Sequence, residues 1–202
     1  MSCKSTQPAW PRNLRNPYLR DKIVGMEVQN AYQAAIRFAG EWHGDQKMPG
    51  SEASYLVHLA NVAMELMMAS RFTEDFDLDF AVQVALLHDV IEDTPCTYEE
   101  VKDRFSAAVA DAVLALTKNE QLPPGEQIPD SLARIRDLRK EVWAVKLADR
   151  ISNMQKPPAT WSRKKKEKYL EDARRILEEL RGGNAYLESR LFRLTEMYRD
   201  FI

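Results

Sequence analysis

Cysteine is nearly missing from this chain. Cys3 and Cys96 are its only two, far apart and in no CxxC pattern, so both are read as free thiols in a reducing cytosol. Long apolar runs are missing as well: none approaches membrane-spanning length, and the N-terminal residues carry no signal-peptide core. The expectation is a cytoplasmic protein with no membrane partner. An excess of either charge is missing too, since 29 Lys and Arg against 31 Asp and Glu leave a formal net charge of −2. No global field therefore draws the chain to nucleic acid, and any phosphate it binds must be met by a local cluster. Strand-like alternation, internal repeats and interdomain linkers are absent. Nothing in the residues fixes an oligomeric state.

What is present is helical. A hydrophobic fraction of 45% and a charged fraction of 30% are ordinary for a soluble globular protein, and 202 residues suffice for one domain with a full core. The fold class is all-α, a single-domain helical bundle. Residues 1–20, with Pro8, Pro11 and Pro17 among Lys4, Arg12, Arg15 and Arg20, read as an extended arm ahead of a domain over 21–202. Val24, Val28, Ala31, Ala35, Phe38 and Trp42 recur at helical spacing, and Tyr55, Leu59, Val62, Leu66 and Met67 form a second stripe with His58 in its first turn. Thr97-Tyr98-Glu99-Glu100 is a capping box. Residues 119–130 read as a polar, mobile loop, after which Asp130 or Ser131 caps one long helix running to Ala148 and stopped by Pro157-Pro158. Ser162 and Asn184 cap two amphipathic closing helices separated by Gly182-Gly183, and Lys164-Lys165-Lys166 is a solvated face.

The chemistry gathers around Ala85-Leu86-Leu87-His88-Asp89-Val90-Ile91-Glu92-Asp93-Thr94. The run from Phe80 to Leu87 is apolar except for Gln83, which predicts a core helix, and Pro95 ends it. Burying an imidazole and carboxylates there is costly unless something compensates, and a metal ion is the usual compensation. His88 and Glu92 stand four apart, as do Asp89 and Asp93, so on a continuous helix each pair shares a face. A second cluster, Val145-Lys146-Leu147-Ala148-Asp149-Arg150-Ile151-Ser152-Asn153-Met154, sets Asp149 in an apolar stretch with Asn153 one turn further. Alone, Lys146, Asp149 and Arg150 would pass for a solvated salt-bridge set. No covalent nucleophile is specifically placed; Cys96, just past Pro95, is read as structural.

His58, the His88-Asp89 pair with Glu92-Asp93, and Lys146-Leu147-Ala148-Asp149-Arg150 before Asn153-Met154 follow the order of the HD phosphohydrolase superfamily. From about residue 28 to 156 the chain resembles, more narrowly, the hydrolase domain of the RelA/SpoT alarmone enzymes and the stand-alone small alarmone hydrolases. The resemblance implies an α-helical HD domain that removes the 3′-pyrophosphate of ppGpp or pppGpp, usually with Mn²⁺. It implies His58, His88, Asp89 and Asp149 as metal ligands. Glu92 and Asp93 would position the attacking water and handle protons, Asn153 would touch substrate, and Lys146 and Arg150 would support the site. Two His and two Asp are mixed N/O ligation that suits Mn²⁺, with Fe²⁺ or Zn²⁺ as alternatives.

The loop Gln46-Lys47-Met48-Pro49-Gly50-Ser51-Glu52-Ala53-Ser54-Tyr55 departs from the family. It keeps Lys47 as a candidate phosphate contact but lacks the family's Arg, and the His that precedes the family's Asn is here Ser152. His43 falls where the family has a His near this loop, or it stabilises the Gly44 turn. Tyr55 is either core or substrate-facing. Other substrates therefore stay open: an adenosine analogue of the alarmone, a phosphorylated dinucleotide or a nucleoside 5′-monophosphate. A non-catalytic nucleotide-binding HD module is the reading from another class, and the intact Glu92-Asp93 pair argues against it.

Overall fold

The chain's computed structural model describes residues 17–202, with side chains from residue 27 onward. Ten α-helices follow one another among these residues: α1 Pro17–His43, α2 Leu56–Ser70, α3 Leu78–Leu87, α4 Val90–Asp93, α5 Tyr98–Arg104, α6 Ala107–Leu116, α7 Pro124–Arg136, α8 Lys140–Asn153, α9 Arg163–Glu179 and α10 Ala185–Tyr198, with a closing 3₁₀ turn. The one β-type pairing among the described residues is an isolated antiparallel bridge, Lys47 to Ser54, which ties off the loop between α1 and α2. α1 begins at Pro17, inside the segment read as an arm; residues 1–16 of that arm, and Cys3 with them, lie outside the described residues.

α3 is the axis of the bundle, packed against by α1, α2, α6 and α8. Its apolar run is buried all round, as the sequence predicts, and Asp77 starts it by accepting the Phe80 amide. It stops earlier than the sequence predicts. His88 turns its Nδ1 back onto the Ala85 carbonyl at 2.7 Å, and Asp89 sits at φ −104°, ψ −2° before the chain resumes as α4. His88 and Asp89 thus occupy the break between two helices and are freed from the 100° step of a continuous one. α4 then ends because Thr94, ahead of Pro95, must take an extended backbone.

Two other expectations need correction. The 119–130 segment is not a loop throughout, since α7 starts at Pro124 and contains Pro129. Proline suits the first helical position, and buried Leu132 and Ile135 hold the helix against its neighbours. Asp130 and Ser131 are inside it rather than caps: Asp130 accepts from Arg134, while the Ser131 hydroxyl donates to the Ala115 carbonyl at 2.8 Å. The long helix to Ala148 is two helices, broken at 137–139, where the Trp143 indole takes the Leu138 carbonyl and Arg139 spans Glu141 and Asp77. The capping box at Thr97 and the caps at Ser162 and Asn184 form as expected. Arg134 closes the end of α6 by donating to the Leu114 and Thr117 carbonyls. That fixes the next residue, Lys118, beside α4.

Candidate metal centre and active site

Three helices deliver the ligand candidates to one point. His58 comes from the first turn of α2, His88 and Asp89 from the α3–α4 break, and Asp149 from the last turn of α8. Each of His58, His88 and Asp149 offers one donor atom, all within 4.8 Å of one another, and all three residues are buried. Asp89 joins them, with its Oδ2 at 2.9 Å from His88 Nε2 and 3.7 Å from His58 Nε2. Asp149 Oδ1 lies 3.5 Å from His58 Nε2 and 3.7 Å from His88 Nε2. Two donors at about 2.1 Å from one ion stand about 3.0–3.4 Å apart, so this crowding fits a shared cation.

The histidine tautomers argue the same way. The Ala85 carbonyl can only accept, so His88 Nδ1 carries a proton and its Nε2 presents a lone pair when the ring is neutral. That Nε2 lies 3.3 Å from the Nε2 of His58, whose own Nδ1 meets the Ser152 hydroxyl at 3.1 Å. Facing imidazole nitrogens flanked by two carboxylates need positive charge between them. Burial opposes charge on His88, but Asp89 and Asp149 prevail and hold its pKa well above the ordinary imidazole value. Burial likewise opposes charge on Asp149, yet Lys146 and the histidines keep its carboxyl well below the usual range. The residues present therefore fit a divalent metal.

Around this cluster a second set of groups holds its side chains in place. Tyr55 donates its hydroxyl to Asp89 Oδ2 at 2.5 Å, and burial together with Asp89 pushes the phenol far above its normal pKa, so it stays a donor. Tyr55 also lines the cavity, so it serves site and core together. Lys146 Nζ and Asn153 Nδ2 both donate to Asp149, at 3.0 and 2.6 Å. Glu92 receives both the backbone N–H and the ammonium of Lys118. Asp93 accepts from Gln46 Nε2 at 3.0 Å, and Gln46 is itself fixed by His43 Nδ1 at 2.7 Å.

These groups face a cavity of about 480 Å³ whose far wall comes from Pro157, Trp161, Tyr169 and Tyr198. Asp89, Glu92, Asp93, Lys146, Asp149, Arg150 and Asn153 all line it. Lys47 does not: it is exposed on its loop, which contributes Met48 and Pro49 instead. Arg150 is buried and stacks under the Tyr169 ring at 4.5 Å, facing the far wall and not the carboxylates. Sequence reasoning missed the partners. Gln46 stood out only as the start of a loop and Ser152 only as a departure from the family. The aromatic far wall carried no signal beyond helix periodicity. Cys96 is buried, and desolvation with Glu100 nearby pushes its thiol up to about 11, in keeping with a structural role.

Comparison with known proteins agrees with this geometry. A family model described as the HD domain matches residues 35–181. The guanosine-3′,5′-bis(diphosphate) 3′-pyrophosphohydrolase MESH1 of Danio rerio is 33% identical over 164 residues, covering 79% of this chain and 89% of that protein. The Mus musculus protein of the same name is 32% identical over 178 residues, covering 86% and 97%. A solved structure described as "A metazoan ortholog of SpoT hydrolyzes ppGpp and plays a role in starvation responses" superposes with a TM-score of 0.73 at 25% identity, over 85% of this chain and 97% of that one. The matched span holds His58, His88, Asp89 and Asp149, and it runs through most of the chain: this protein belongs to the HD-domain family.

Proposed function

We propose that this chain hydrolyses the 3′-pyrophosphate of ppGpp and pppGpp, giving GDP or GTP and pyrophosphate, with Mn²⁺ held by His58, His88, Asp89 and Asp149. One observation carries the reading: buried His58, His88 and Asp149 cluster with Asp89, and both aspartates line, with the Glu92–Asp93 pair, one cavity that also holds Lys118, Lys146 and Arg150. The names borne by relatives that match along most of their length support the choice of substrate. When bound, the metal polarises the phosphoryl oxygens and lowers the pKa of a water beside it.

The rest is done by side chains. Water adds through its oxygen to the phosphorus bonded to O3′, the O3′–P bond breaks, and pyrophosphate leaves with that oxygen. O3′ departs with the electron pair and takes up a proton. Glu92 accepts the proton that water loses; Lys118 occupies one lone-pair site on each of its oxygens and leaves the others open. Asp93, oriented by Gln46, handles the proton that O3′ gains. Lys146 and Asn153 hold Asp149 at the angle the ligand set requires. The test is ppGpp with the Mn²⁺-loaded protein, products separated by chromatography. GDP with intact pyrophosphate is expected; orthophosphate alone, or activity confined to 5′-monophosphates, would sink the reading. An adenosine analogue belongs in the same panel, because the loop lacks the family's Arg.

A further inference from the structure

The far wall of the cavity carries a cation that the reaction above does not use. Arg150 is 8% exposed, and its Nε and Nη1 are buried without a hydrogen-bond partner. The Tyr198 hydroxyl, 1% exposed as a residue, is buried without a partner as well. Both residues line the cavity, and the Tyr169 ring lies over the guanidinium. The other cations of the cavity differ. Lys118 is committed to Glu92 and Lys146 to Asp149, while Lys156 is exposed at the rim. Asp172, the acidic residue of this wall, is neutralised by Lys168 at 2.7 Å.

A buried guanidinium without a counter-ion is expensive, and a buried hydroxyl without a partner adds to that cost. Native structures rarely keep two such groups side by side unless something else satisfies them. We propose that Arg150, Tyr198 and the covering Tyr169 form an anion subsite that takes the 5′-diphosphate of the nucleotide. It rests on the substrate reading above. With the scissile 3′ group at the histidines, the other charged end of the substrate must find its counter-charge elsewhere in the same cavity. Arg150 offers unpartnered N–H donors at Nε and Nη1 to phosphate oxygens, and the Tyr198 O–H adds a neutral donor. Tyr169 covers the guanidinium, so the ring shifts as the phosphate enters.

The test uses a substitution that removes one oxygen and no packing. Tyr198→Phe deletes the orphan hydroxyl from the Mn²⁺-loaded protein, and calorimetry compares GDP with guanosine as probes. GDP should bind about ten-fold more weakly to the variant, the loss expected for one hydrogen bond to a charged group. Guanosine affinity should not move. Thermal stability without nucleotide should hold or rise, because a buried unsatisfied group has gone. Arg150→Lys, which keeps charge and loses the guanidinium, should weaken GDP in the same direction. Equal loss for GDP and guanosine, no loss for GDP, no binding of GDP to the parent protein, or a lower melting temperature in Tyr198→Phe would each overturn the subsite. A Tyr198-dependent GDP site in a protein inert toward ppGpp would instead leave the subsite standing and remove the substrate reading.

Discussion

At the residue scale, the proposed reaction divides the work of neighbouring side chains between holding charge and moving protons. His88 and Asp89 sit in the α3–α4 break and turn toward the cluster, while Glu92 and Asp93, one turn on, are exposed enough to meet water. His88→Ala or Asp89→Ala should therefore abolish stoichiometric metal binding by elemental analysis, and full occupancy in both would remove them from the ligand set. Glu92→Gln should keep the metal while turnover falls by about 10²–10⁴, because an amide cannot accept the proton. Turnover at the parent rate would transfer the base role to Asp93. Both residue pairs were legible in the sequence, since their types and spacing are local. Their partners were not. Ser152 stands 94 positions from His58 and Lys118 stands 26 from Glu92, separations that only the packed bundle closes.

At the element scale, the apolar run of α3 was legible as a core segment because a helix buried on nearly every side is apolar nearly throughout. The break after Leu87 was not, because it arises from His88 bonding back to Ala85, a choice the side chain makes locally. The α7 helix was misread because Pro124 and Pro129 with Gly125 look like loop chemistry, whereas buried Leu132 and Ile135 outweigh them. The α7–α8 junction offers a stability test. Glu141 accepts the Asp77 amide at 3.0 Å and Arg139 at 2.8 Å; burial opposes its charge, but these bonds prevail and lower its pKa. A carboxylate depressed on folding stabilises above its unfolded pKa, about 4.3, and loses that contribution as pH falls through its folded value. Glu141→Gln should thus lower the melting temperature at pH 7, and the difference from the parent should shrink below about pH 4. A difference that stayed constant from pH 7 to pH 3 would show that the carboxylate's charge contributes nothing.

At the scale of the whole molecule, the bundle builds one cavity with two differently charged ends. α2, the α3–α4 break and α8 supply the metal end, and α8 with the C-terminal helices supplies the aromatic and cationic end. A bidentate pair, Arg190 to Glu65 at 2.6 and 2.7 Å, fastens α10 to α2, so the far wall is fixed to the helix that carries His58. No helix among the described residues is long and apolar enough to cross a membrane. The metal end follows from motifs, whereas the far wall depends on where two ordinary amphipathic helices happen to pack, which no local pattern records. The most direct measurement is a crystal structure of the Glu92→Gln variant with Mn²⁺ and ppGpp, collected at the manganese absorption edge. The expected result is one anomalous peak among His58, His88, Asp89 and Asp149 with the 3′-diphosphate against it. A peak elsewhere, or the 5′-diphosphate at the metal, would contradict the account.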